Sequence, residues 1–84
     1  MAIPAGTRNI QGVELEWFYV SSSNVDWIAY NEQLSRCYVA FQDGGDIYYW
    51  DGIDPYTFKR FQRTDSPGGF VWNTLGYGAH SGKI

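Results

Sequence analysis

Apolar and polar positions alternate through the first fifty residues, with breaks that mark out strands. Val13, Leu15, Trp17 and Tyr19 alternate with Glu14, Glu16, Phe18 and Val20, the two-residue period of a first strand. Ser21-Ser22-Ser23-Asn24 ends it. Residues 25–30 read as a second strand, Asn31-Glu32-Gln33 as a turn, and 34–42 and 46–51 as a third and fourth strand. Asp43-Gly44-Gly45-Asp46 is the signal of a two-residue hairpin turn. With Gly44-Gly45 as that turn, Phe41 lies opposite Tyr48 and Val39 opposite Trp50, and these share a face with Cys37. The other face carries Tyr38, Ala40, Ile47 and Tyr49. A half-buried sheet is apolar on one side and polar on the other. This hairpin is apolar or aromatic on both, so something must cover the second face: more of the same chain, a second copy or a ligand.

After Asp51 the period changes. Asp54-Pro55 is a helix start, an N-cap acceptor followed by proline at the first helical position. The helix is expected to run to about Thr64. Ser66-Pro67-Gly68-Gly69 stops it, and 70–75 reads as a short second helix. The resulting expectation is an α+β domain: a four-stranded antiparallel meander followed by an amphipathic helix and a short one. Residues 1–12 are expected to be loosely held, 13–75 to form the domain, and the Gly-rich residues 76–84 to be a mobile tail.

At about 100° per residue, Phe58 and Phe61 share one side of the long helix. Lys59, Arg60 and Arg63 fall on the other, with Tyr56 between. Two readings stand side by side. One is a solvated basic back. The other is an anion site, with Tyr56 to stack on a base and three cations for phosphate.

Composition sets the bounds. The chain has 84 residues, 19% of them aromatic, and a formal charge of −3. That length lies near the lower limit for a self-sufficient core, which aromatic bulk or oligomerisation can remedy. The negative balance means that the molecule as a whole does not attract nucleic acid by net charge, and no DNA partner is expected. The single cysteine, Cys37, excludes an intramolecular disulfide and sits where a small core residue is expected. The first residues lack the pattern of a signal peptide, and no apolar run approaches the ~20 residues of a membrane span. A soluble cytoplasmic protein, of a bacterial cell or an infected host, is therefore expected.

From Ser22 to Leu75 the chain resembles the KTSC domain family, the small domain also found at the C-terminus of some lysyl-tRNA synthetases. The residues that carry the resemblance are Ser22-Ser23-Asn24-Val25 with Tyr30, the Cys37/Val39/Phe41 alternation, Gly44, Tyr48-Tyr49-Trp50, and Ser66-x-Gly68 followed by Phe70, Val71 and Leu75. The resemblance implies a single-domain bacterial or phage member and an RNA-binding role. Two departures matter. Tyr38, Ala40 and Tyr49 stand where members tend to be polar or charged, and Trp50 replaces the second tyrosine of a Tyr-x-Tyr motif. The sheet face that would meet a phosphate backbone is aromatic here, which favours protein or a small planar ligand.

No catalytic set is recognisable. The one histidine, His80, lies in the Gly-rich tail, and no Cys-His, Ser-His-Asp or metal-ligand spacing occurs. The expectation is a protein that is not an enzyme, with no cofactor and no metal. Two functions remain open. One is a binding module for a nucleotide or short RNA segment, held by Tyr56, Lys59, Arg60 and Arg63, with a phage-type sponge for a host nucleotide signal as one version. The other is an interaction module that forms a dimer or higher homo-oligomer, or docks on a host protein, through Tyr38, Ile47 and Tyr49.

Overall fold

The computed structural model describes residues 1–84. Six strands form one antiparallel meander in chain order: β1 (Ala2–Ile10), β2 (Val13–Val20), β3 (Val25–Asn31), β4 (Arg36–Phe41), β5 (Ile47–Trp50) and β6 (Gly82–Lys83). Between β5 and β6 come α1 (Pro55–Arg63), a short helix α2 (Pro67–Phe70) that runs on as a π-turn over Val71–Leu75, and a 3-10 turn at Tyr77–Ala79. No helix is long and apolar enough to cross a membrane.

The α+β class and the two helices stand, and the sheet has six strands where four were expected. Both additions lie in segments read as loose. The first is built by a tight turn: Gln11 and Gly12 both have positive φ, 53° and 85°, and the Gly12 N–H donates to Asn9 Oδ1. That geometry joins twisted strands without splaying them, and Ile10 pairs with Val13 across it. The second addition is short. Backbone N–H groups of Ser81 and Ile84 donate to the carbonyls of Tyr49 and Ile47, which ties the C-terminal segment along β5.

The faces of the β4–β5 hairpin are as the alternation indicates, but its register is shifted by two. Val39 pairs with Tyr48 and Cys37 with Trp50, and the Phe41 N–H donates to the Asp46 carbonyl across a four-residue loop. Gln42 accounts for the wider loop. Its backbone N–H donates to the Asn24 carbonyl, and its amide donates to the carbonyls of Ser22 and Val25. These bonds hold Gln42 against β3 instead of β5.

One sheet face carries the main core. Val25, Ile28, Cys37, Val39 and Trp50 meet Phe58 and Phe61 from α1 and Phe70, Val71 and Leu75 from the second helical segment. Asp54 caps α1 by accepting from the Thr57 N–H at 2.8 Å, and the helix ends at Thr64 as expected. Ser66-Pro67-Gly68-Gly69, read as a stop, instead begins the next helix, with Ser66 accepting from the Gly69 N–H. A serine cap before proline at the first position is a start signal as well as a break. Burial pushes the Cys37 thiol far above its ordinary range, because nothing nearby stabilises the thiolate.

More of the same chain covers the second face. Ile10, Trp17, Trp27, Ala29, Tyr38 and Ala40 form a separate buried cluster. Bulges interrupt β1 at Pro4/Gly6 and β3 at Val25/Trp27. Bulges bend a strand and sharpen its twist, and here the β1–β2 hairpin turns across the sheet. Its tip residue Gln11 accepts hydrogen bonds from the Tyr38 hydroxyl at 2.6 Å and from Arg36 at 2.9 Å. The Arg8 guanidinium lies 4.0 Å from the Trp17 ring centre and 4.2 Å from that of Trp27.

Candidate functional site

The basic back of α1 has the orientation its spacing implies. Phe58 and Phe61 are buried, while Tyr56, Lys59, Arg60 and Arg63 face outward, Tyr56 at 71% exposure. The chain's two ion pairs are Arg36–Asp51 and Lys83–Asp46, so none of the three helix cations is paired with a carboxylate. The four residues do not form one pocket. Arg60 and Arg63 share a shallow recess with Thr64 and Phe70, the Arg60 guanidinium 5.7 Å above the Phe70 ring. Lys59 borders a different recess, with Glu16, Glu32 and the Tyr30–Phe58 stack. Tyr56 borders neither.

Along the second face, Tyr38 is fully buried beneath the β1–β2 hairpin, so a second copy cannot reach it in this fold. Tyr49 and Ile47 are half-buried at β5. The Tyr49 ring carries the Arg36 guanidinium at 4.2 Å on one side and backs onto Gly82, where any Cβ would collide with it.

The most enclosed concave site lies elsewhere, and sequence reasoning did not single it out. A cleft of about 370 Å³ opens between the β4–β5 loop, the approach to β3, α2 and the π-turn. Phe41, Tyr48, Tyr77 and Trp72 supply its aromatic walls. Phe41 and Tyr77 are stacked with ring centres 5.8 Å apart, and Tyr48 and Trp72 meet Tyr77 edge-on at 5.8 and 5.0 Å. His80, expected in a mobile tail, packs its ring against Tyr48 at 4.8 Å. Trp72 stands at the rim, 65% exposed.

Local structure explains this placement. The π-turn directs Val71 and Leu75 into the core and leaves Trp72 outside; such turns recur at functional sites. Ser22 Oγ accepts from the N–H groups of Asn24 and Val25, which fixes Ser23 and Asn24 as the cleft's polar edge. Gly68 permits the approach of α2, since a Cβ there would come within 3.3 Å of the Asn24 amide nitrogen. Segments far apart in sequence, Ser22-Ser23-Asn24, Tyr48 and Ser66-x-Gly68, therefore converge here. A second recess continues from Trp72 past Asn24 to Asp65 and Gly69.

The cleft is electrically negative. Asp43 and Asp46 line it, and Asp65 borders the adjoining recess. Lys83 places its ammonium 3.4 Å from the Asp46 carboxylate and 5.8 Å from the Tyr48 ring centre. The Tyr77 phenol is raised above its ordinary value, first by hydrogen bonding with Tyr48, then by burial and the nearby charges, Asp46 among them. No group of three or more His, Cys, Asp and Glu side chains is arranged to hold a metal ion.

The signal that could have revealed the cleft was Trp72 itself. Phe70, Val71 and Leu75 have core spacing and Trp72 does not, so a helix placed there leaves a tryptophan on the outside. The family model described as KTSC domain matches residues 21–74, a span that holds nearly all of the cleft's lining. No curated protein and no solved structure matches the chain.

Proposed function

We propose a function from one premise: the chain belongs to the KTSC domain family. It is a small non-catalytic binding module for a nucleotide or a short RNA segment, a role suited to sequestering such a ligand. The observation that carries this reading is Trp72, a large apolar ring left in solvent at the mouth of an aromatic-walled cleft. Exposed aromatics of this kind are stacking platforms for bases, and small-ligand sites combine apolar walls with a few polar groups.

Charge sorts the two ends of the ligand. Asp43, Asp46 and Asp65 repel phosphate, so the cleft takes the base. Three cations without a carboxylate partner are on α1, while Arg8 is held over Trp17 and Trp27 on the second face. The recess of Arg60 and Arg63 begins at Thr64 and Phe70, the chain neighbours of Asp65 and Gly69 at the border of the cleft. Phosphates leaving the cleft would meet charge-assisted donors there. Lys59 and Tyr56 extend the same outward strip.

Calorimetry against mono-, di- and cyclic nucleotides and a short single-stranded RNA tests this. Stacking on an aromatic side chain contributes ~1–3 kcal/mol per base, so Trp72→Ala should weaken binding about 5- to 150-fold. Arg63→Ala should weaken it less, and added salt should weaken it further, because screening acts on the phosphate contacts. No binding across the panel, or binding unchanged in both variants, removes the reading.

A further inference from the structure

We infer that the base this cleft selects is guanine; the inference rests on the nucleotide reading above and adds the base edge that is recognised. Two carboxylates line the cleft, and they are not equivalent. Asp46 is already engaged by Lys83. Asp43 is exposed, pairs with no cation of this chain and takes part in no side-chain hydrogen bond. Asn24 lies beside it, because the backbone N–H of Gln42, the residue before Asp43, donates to the Asn24 carbonyl at 2.9 Å. The backbone of Asn24 is therefore committed, to Ser22 and Gln42, while its side-chain amide borders the cleft against Gly68.

A carboxylate and an amide that line the same cleft, neither held by a side-chain hydrogen bond, supply it with an acceptor pair and a donor. Guanine presents the complement on one edge: N1–H and N2–H₂ as donors and O6 as acceptor. The carboxylate of Asp43 can take both donors in a parallel, charge-assisted pair, and the Asn24 amide can donate to O6. Adenine and cytosine each turn a ring-nitrogen lone pair toward a carboxylate at the corresponding position. Uracil offers one donor between two carbonyls. These three bases retain stacking on Trp72 and Tyr77 and lose the edge contacts, so the discrimination resides in Asp43 and the shared affinity in the rings.

Tryptophan fluorescence titrations of the full chain with GMP, AMP, CMP and UMP at one fixed salt concentration test this. GMP should bind about tenfold or more tightly than the other three, as expected for one bidentate edge contact. Asp43→Asn should abolish the preference, bringing the ratio of GMP to AMP affinity to about one, and retained binding of AMP shows that the variant is folded. Equal affinities for the four, or a GMP preference that survives Asp43→Asn, overturns the guanine inference and leaves the nucleotide module standing. Failure of all four nucleotides to bind overturns the guanine inference, and silence of the di- and cyclic nucleotides and the short RNA as well removes the nucleotide reading. Agmatine in a parallel titration covers the remaining case: tighter binding than GMP, lost in Asp43→Asn, would make the cleft a cation site and overturn the inference.

Discussion

Tyr38 and Trp72 differ widely in burial, at 0% and 65% exposure, though each sits among aromatic rings: the cluster of Tyr38 is separate from the main core, and that of Trp72 rests on the core through Phe41, Tyr48 and Tyr77. Around Tyr38 the chain closes its own cluster: Arg8 lies over Trp17 and Trp27, Ile10 packs beside them, and Gln11 accepts the buried hydroxyl. Around Trp72 it leaves the cluster open, with walls and a polar edge but no side chain over the outer ring. A domain of this length gains from a second core, because one face of one sheet buries too little apolar area. The aromatic excess of the sequence therefore serves two ends. One cluster stabilises the fold, and the other is available to a ligand.

Exchanging the two kinds of tryptophan tests that division most strongly. Trp27→Ala should destabilise by ~3–5 kcal/mol, the range for deleting a large aromatic from a packed site. Trp72→Ala should change stability by no more than about 0.5 kcal/mol, as for a surface position. Urea denaturation of both variants reads the contrast, and equal costs would erase it. Arg8→Ala comes next, at about 1 kcal/mol, the scale of a partly desolvated cation–π contact. An unchanged denaturation midpoint would mean that the guanidinium lends the second core nothing.

The smallest effect concerns α1, which positions the cations. Asp54 is held below its ordinary carboxylate value of 3.8, first by the Thr57 hydroxyl and then by the Thr57 backbone N–H. The unfolded chain therefore takes up this proton more readily. The stabilisation is complete above the ordinary value and is lost as pH falls through the lower folded value. Asp54→Asn, which keeps a capping oxygen without the charge, should be slightly less stable than the natural chain at pH 7. The gap should narrow as pH falls below the ordinary carboxylate value, and a gap that stays constant with acidification would place its cause outside this charge.

Much of this was legible in the sequence. Alternation assigned residues 37–41 and 47–50 of the β4–β5 hairpin to their correct faces, because the period-two rule survives a register shift of two. The register itself was not legible, since it depends on bonds from Gln42 to Ser22, Asn24 and Val25 across β3. β1 was missed because Pro4, Gly6 and Asn9 dilute its apolar pattern, and β6 because two residues carry no periodicity. The outward set Tyr56, Lys59, Arg60 and Arg63 was readable from helical spacing alone. Its division between two recesses depends on tertiary neighbours, Glu16 and Glu32 on one side and Phe70 on the other. The cleft escaped notice because its lining comes from segments as far apart as Ser23 and Tyr77, and only the fold brings them together.

The central claim, that the open cluster meets the ligand and the closed one does not, can be read in a single spectrum. The chain has four tryptophans, so a ¹H–¹⁵N correlation spectrum contains four indole signals. On titration with GMP, the Trp72 signal should shift progressively. Those of Trp17 and Trp27, sealed under Arg8 and the β1–β2 hairpin, should stay in place. Movement of Trp17 or Trp27 with Trp72 unmoved would put the ligand on the second face and contradict the account.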